Sequence, residues 1–206
     1  MTAIRAIAFD CFGTLVELRK PVNPYDVLAQ QLGLDERRRF RRRVMTQPLS
    51  LADAAQEYSI ALDSGELAVL ELALEHELES IVCYPETQAV LHTLQSQGIP
   101  VALCSNLALP YAAPVTELLG ESLDSCIWSF KAGAVKPDGA IYRYLCDQLG
   151  ALPDQVLMVG DSATADYEGA RAAGLQARHL VRNQRAGRQP HQVATLHEVL
   201  QLLQLT

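Results

Sequence analysis

No run in this 206-residue sequence is apolar for the roughly 18 residues that a bilayer-spanning helix needs. The N-terminus enters a strand-like pattern almost at once and lacks a basic segment followed by an apolar one, so no secretory signal is expected. The five cysteines (Cys11, Cys83, Cys104, Cys126, Cys146) form no CxxC pair. Odd in number and scattered through apolar runs, they predict small buried hydrophobes in a reducing cytoplasm. Excess basic charge is also lacking: the formal charge is −7, which argues against a general nucleic-acid binder. Repeats and low-complexity segments are absent. What remains is an ordinary globular composition, 49% hydrophobic, of a length that suits one domain with an elaboration or two small domains.

Short apolar runs recur along the chain. Residues 3–9 are nearly all apolar, Val101–Cys104 and Val156–Val159 follow, and Cys126–Ser129 and Leu175–Leu180 are shorter strand candidates. Continuous apolar runs of this length predict strands buried on both faces of a parallel sheet. Between them Pro85–Gln97, Asp138–Leu149 and Thr164–Ala173 show helical apolar spacing, and each stops at a glycine (Gly98, Gly150, Gly174). Strands alternating with such helices predict an α/β fold with a doubly wound sheet. Val193–Leu203 is expected to be a last amphipathic helix, after a polar loop over Arg182–Pro190.

Residues 18–84 differ in kind. They read as successive helices, Tyr25–Gln31, Glu36–Thr46, Leu51–Tyr58 and Glu66–Ile81, separated by prolines and glycines. An all-helical insertion after the first strand predicts a cap over the C-terminal edge of the sheet, with two hinge crossings. The expected division is a core of 1–17 plus 85–206 and a cap of 18–84. Within the cap, residues 35–43 hold six arginines and two acids. Phe40 and Val44 claim the packed face of that helix, so the arginines are expected to be solvated. The alternative reading places one or two of them, Arg41 first, at the cap entrance to draw in an anionic substrate.

Four constellations stand at strand ends. Asp10, followed by Gly13 and Thr14, fits equally a turn-opening aspartate and a carboxylate nucleophile whose Thr14 offers a hydroxyl and amide to an anion. Ser105-Asn106 could cap a helix or hydrogen-bond an oxyanion. Lys136-Pro137 could be solvated surface or a fixed ammonium that offsets phosphoryl charge. Gly160-Asp161 with Asp166 could be a helix cap or a pair of oxygen ligands for a hard cation. Together they converge on one crevice, which a generic sheet has no need of.

In this order the set resembles the haloacid dehalogenase (HAD) superfamily over nearly the whole chain: Asp10–Leu15 is similar to its first motif, Ser105 to its second, Lys136-Pro137 to its third, and Gly160-Asp161 with Asp166 to its fourth. The helical insertion is similar to the type 1 cap. The resemblance implies a Rossmann-like parallel sheet of order 3-2-1-4-5 and a covalent intermediate on Asp10. It implies Mg²⁺ held by Asp10, Asp161 and the Phe12 carbonyl with support from Asp166. It also implies a transferred group bound by Gly13, Thr14, Ser105 and Asn106, with Lys136 orienting and neutralising.

One position departs from that pattern. Phosphatases of the superfamily carry a second aspartate two places after the nucleophile, as general acid and base; here it is Phe12. An aromatic there resembles the 2-haloacid dehalogenases, as do Ser105-Asn106, Tyr142 and the arginines near 41. Halide leaves unprotonated, so those enzymes need no acid there, and they use no metal. Asp161 points the other way, because two close carboxylates call for a cation. The expectation is a cytoplasmic, Mg²⁺-dependent phosphatase of a small phosphorylated metabolite, monomer or homodimer, with no nucleic-acid or membrane partner. The alternatives are a metal-free 2-haloacid dehalogenase and a catalytically weak phosphate-binding or interaction protein.

Overall fold

The apolar runs pair into one parallel sheet. The structure, a computed structural model, describes residues 3–182 and 188–205. In chain order its elements begin with β1 (Ala6–Phe9) and β2 (Val16–Leu18), followed by α1 (Pro24–Ala29), α2 (Leu34–Thr46), α3 (Leu51–Glu57) and α4 (Ser64–Glu79). Then come β3 (Ile81–Cys83), α5 (Thr87–Ser96), β4 (Val101–Ser105), α6 (Ala112–Leu119), β5 (Ser125–Trp128), α7 (Ser129–Ala132) and α8 (Gly139–Leu149). The chain continues through β6 (Val156–Gly160), a π-helical turn (Ala163–Glu168), α9 (Gly169–Ala172), β7 (Gln176–Leu180), β8 (Gln192–Val193) and α10 (Leu196–Leu202).

β1 lies at the centre, parallel to β4 on one side and β6 on the other. The six-stranded order is β5-β4-β1-β6-β7-β8. Its first five strands in chain order stand as 3-2-1-4-5, the predicted Rossmann-like arrangement, and β8 adds a short edge pairing with His179 and Leu180.

Side-chain alternation along the central strands builds two cores. Ile7 and Phe9 join Leu103 and Val159 on one face, while Ala8, Ala102 and Met158 face the other. The small side chains of Ala8 and Ala102 leave room for α8, whose Ile141, Tyr142 and Leu145 are fully buried against that second face. Each large side chain so buried contributes about 1.5–3 kcal/mol. Burial on both faces explains why these strands read as unbroken apolar runs.

Four helices, α1–α4, stand between β2 and β3, which pair antiparallel as a ribbon (Val16 with Cys83, Leu18 with Ile81). This ribbon corrects the expected helix Glu66–Ile81: α4 ends at Glu79, and Ile81 satisfies its backbone in the ladder. Capping boxes start α3 (Ser50 with Asp53) and α4 (Asp63 with Glu66). Phe40 and Val44 form the buried stripe of α2, as predicted.

The arginines of α2 are not merely solvated. Arg37 donates to the carbonyls of Ala29 (3.1 Å) and Leu32 (3.2 Å), closing the end of α1. Arg41 pairs with Asp26 at 2.8 Å, Arg42 with Asp138 at 2.6 Å and Arg43 with Glu57 at 2.6 Å.

Two further boundaries move. Thr164–Ala173 is a π-helical turn followed by the short α9, and the last helix begins at Leu196 because Gln192-Val193 joins the sheet. Of the expected loop Arg182–Pro190, residues 183–187 lie outside the described residues. Among the described residues no helix is long and apolar enough to cross a membrane.

Candidate active site

The ends of β1, β4 and β6 bring the charged residues together. The Asp10 amide donates to the Val159 carbonyl at 2.9 Å, extending the ladder one residue past β1. The chain then turns tightly, with the Cys11 carbonyl accepting from the amides of Thr14 (3.2 Å), Leu15 (2.8 Å) and Val16 (3.0 Å). Gly13 has φ +82°, and a β-carbon there would stand 2.1 Å from Asp161 Oδ2. Only glycine lets this loop lie against the Asp161 carboxylate.

Lys136 is buried with its ammonium between two acids, 2.7 Å from Asp10 Oδ1 and 2.6 Å from Asp166 Oδ1. Its backbone is gripped by Asn106: the Lys136 amide donates to Oδ1 at 2.7 Å, and Nδ2 donates to the Lys136 carbonyl at 2.9 Å. Asn106, expected on the substrate, therefore spends its amide on seating the lysine, though it also lines the adjoining cavity. Ser105 is buried at the last position of β4.

Asp166 comes from the π-helical turn. Its Oδ2 accepts the Ser162 amide at 2.9 Å, and a β-carbon on Gly160 would stand 2.2 Å from its carboxyl, so the glycine makes its seat. π-helical turns commonly mark such re-aimed side chains. Tyr142, buried in α8, donates its hydroxyl to the Ala165 carbonyl in the same turn.

Asp10, Asp161 and Asp166 each offer a carboxylate oxygen within 4.8 Å of the others. Burial pushes the Asp10 carboxyl up from 3.8 to about 6; the Lys136 ammonium opposes that rise and the Asp166 carboxylate adds to it. Desolvation also raises Asp161, again with Asp166 contributing. Burial alone would depress Lys136, yet Asp10 and Asp166 outweigh it and hold the ammonium charged. Three carboxylates gather at one ammonium that pairs with only two of them, and the ligand atoms the cluster offers are hard oxygens. That set fits a small divalent cation. Thr14 Oγ1 is buried and has no hydrogen-bond partner among the described residues. An orphan hydroxyl beside the nucleophile suits an oxyanion.

A cavity of about 210 Å³ adjoins this cluster, lined by Phe12 and Asn106, by Leu107 and Tyr111 after β4, and by Arg41 and Glu77 from the helical insert. Phe12 meets Tyr111 edge-on, with ring centroids 5.9 Å apart. The Tyr111 hydroxyl donates to Glu77 Oε1 at 2.5 Å, and Glu77 Oε2 accepts from the amides of Val22 and Asn23. The buried Glu77 thus links the insert to the loop after β4.

Arg182 went unnoticed in the sequence. Its Nε donates to the Gly13 carbonyl at 3.2 Å, Nη2 to the Thr14 carbonyl at 2.5 Å and Nη1 to Glu86 at 2.5 Å. The guanidinium lies 3.7 Å over the Tyr84 ring. The available signal is position, since Arg182 lies two residues past the end of β7, at the same edge of the sheet as Asp10 after β1. His179 has Nε2 3.0 Å from the Asp161 carbonyl.

A family model described as haloacid dehalogenase-like hydrolase matches residues 4–174. An (S)-2-haloacid dehalogenase from Pseudomonas sp. (strain CBS-3) is 30% identical, over 98% of this chain and 98% of that one. A phosphoglycolate phosphatase from Pasteurella multocida (strain Pm70) is 28% identical, over 84% of each. Among solved structures, a HAD phosphatase from Thermococcus onnurineus superposes with a TM-score of 0.70 at 26% identity, covering 98% of this chain and 99% of that one.

Proposed function

The chain belongs to the haloacid dehalogenase-like hydrolases, and we propose that within this family it is a Mg²⁺-dependent phosphatase of a small phosphorylated metabolite. The observation that carries this reading is the cluster of Asp10, Asp161 and Asp166 around a single lysine. A metal-free enzyme would have to tolerate the surplus negative charge in a partly desolvated site.

Mg²⁺ would be held by Asp10, Asp161 and the Phe12 carbonyl, with Asp166 supporting, and would supply charge neutralisation for phosphoryl oxygens. The chain's own residues do the rest. Lys136 holds Oδ1 of Asp10, leaving the other oxygen to attack phosphorus and form an aspartyl-phosphate. Thr14 and Ser105 bind the transferred group through their hydroxyls, and Gly13 lets the loop lie close to it, since the Gly13 and Thr14 amides are spent on the Val16 and Cys11 carbonyls. Lys136 neutralises charge, while Asn106 acts through its grip on Lys136. Residues 18–84 form the cap, 1–17 and 85–206 the core, and Arg41 stands at the cap entrance. The unpaired state of all five cysteines suits a reducing cytoplasm.

A second reading, a 2-haloacid dehalogenase, is favoured by Phe12, which offers no proton, and by the dehalogenase among the relatives. Its expected tyrosine, Tyr142, has its hydroxyl committed to the Ala165 carbonyl. The test is release of phosphate from p-nitrophenyl phosphate that requires Mg²⁺ and is lost in Asp10→Asn. Halide release from 2-chloropropionate in the presence of chelator would overturn the phosphatase reading.

A further inference from the structure

This inference rests on the phosphatase reading and names its substrate class. We propose that the site acts on phosphoryl compounds whose leaving group departs as an unprotonated anion: acyl phosphates, with aryl phosphates as close surrogates, on a compact and largely apolar body. An alcohol leaves as a strongly basic alkoxide unless a proton meets it, and a positioned acid is typically worth about 10²–10⁴ in rate. A carboxylate or phenolate needs no such help.

The cavity lined by Phe12 and Asn106 offers no unengaged hydroxyl or carboxyl proton among the described residues. Phe12 carries none. The Tyr111 hydroxyl is donated to Glu77, and both Glu77 oxygens are occupied, one by Tyr111 and the other by two backbone amides. The Tyr25 hydroxyl donates to the Leu49 carbonyl at 2.8 Å, and Asp26 is paired with Arg41. Lys136 directs its ammonium to Asp10 and Asp166. The hydroxyl and carboxyl groups that line the cavity are thus engaged with one another, and beside Arg41 and the two asparagines what is left for the substrate is the apolar surface of Phe12, Leu107 and its neighbours. A volume of about 210 Å³ limits the body that fits.

The chemistry balances without an acid. An Asp10 oxygen forms a bond to phosphorus as the bond from phosphorus to the leaving oxygen breaks, and that oxygen keeps the electron pair and departs as carboxylate or phenolate. Water then attacks the aspartyl-phosphate and the Asp10–phosphorus bond breaks. Its electron pair returns to the Asp10 carboxylate, and the proton of water passes to the outgoing phosphate or to solvent. The intermediate is itself an acyl phosphate, so its leaving group needs no proton either.

The test is kcat/KM, with Mg²⁺ present, for acetyl phosphate, a series of ring-substituted phenyl phosphates, and ethyl phosphate. Asp10→Asn serves as the blank for spontaneous hydrolysis. The expected result is a steep fall as leaving-group basicity rises, with ethyl phosphate at least about 10²-fold below acetyl phosphate. Phe12→Asp should narrow that gap, and if this variant does not fold, the wild-type series decides alone. Similar kcat/KM for ethyl and acetyl phosphate would overturn the inference while leaving the phosphatase reading in place. Phosphate release from none of them would overturn the phosphatase reading itself.

Discussion

Thr14 shows how a residue can cost stability and serve a site at once. Its Oγ1 is buried without a partner, a condition that costs about 1–3 kcal/mol. Thr14→Val removes the unmet hydroxyl and keeps the shape. The expected outcome is a protein without ligand that is more stable by about 1 kcal/mol in urea unfolding. Its affinity for orthophosphate, read by calorimetry, should fall at least about tenfold, since a charge-assisted hydrogen bond is worth about 1.5–3 kcal/mol. Opposite signs in the two measurements would separate a binding role from a packing role. Phe12 works at the same scale in reverse, since its edge-on contact with Tyr111 packs well while supplying no proton.

At the scale of elements, two acids tie segments that sequence separates. Glu77 of α4 accepts from the amides before α1 and from Tyr111 after β4. Glu77→Ala strands these donors, and a loss of about 2–3 kcal/mol is expected in urea unfolding. Glu86, just before α5, holds Arg182 against the Gly13 and Thr14 carbonyls. Burial works against ionisation of Glu86, but the hydrogen-bonded guanidinium wins and holds its carboxyl below the ordinary 4.5. The folded state therefore binds a proton less readily than the unfolded chain. The resulting stability is fully present above about pH 4.5 and is lost as pH falls through the depressed value. Glu86→Gln should be less stable than wild type at pH 7, and the two should converge on acidification below pH 4.5, as thermal melts across pH will report.

For the whole molecule, a metal bound at the carboxylate cluster, as proposed, would couple its binding to folding. A ligand that binds only the folded state stabilises it by about 2.7 kcal/mol at a hundred times its dissociation constant. For a chain of this size that corresponds to roughly 5–10 °C in Tm. Saturating Mg²⁺ should raise Tm by that order, chelator should reverse the rise, and Asp161→Asn should abolish it. The same substitution should leave the metal-free protein no less stable, because it removes a carboxylate that Asp166 repels.

The parallel sheet is legible because strands buried on both faces must be apolar throughout, and the runs at 101 and 156 match β4 and β6 nearly to their ends. The candidate site was legible for a related reason. Asp10, Ser105 and Asp161 are polar residues placed where apolar runs stop, Lys136 stands just ahead of a helix, and chain order carries them to one edge of a sheet. Only the tertiary structure decided what lacks a local period. Ile81 left its helical pattern because β2 offered it a ladder, and Thr164–Ala173 opened into a π turn around the seat of Asp166. Asn106 turned to Lys136, and Arg182 reached back to the loop at Gly13. Each depends on a partner far off in the chain, and contact across such distances leaves no trace in the spacing of neighbours. The absence of an acid at position 12 could be read from the chain alone. That no hydroxyl or carboxyl among the described residues lining the cavity stands free to replace it is visible only with the partners of Tyr25, Asp26, Glu77 and Tyr111 in place.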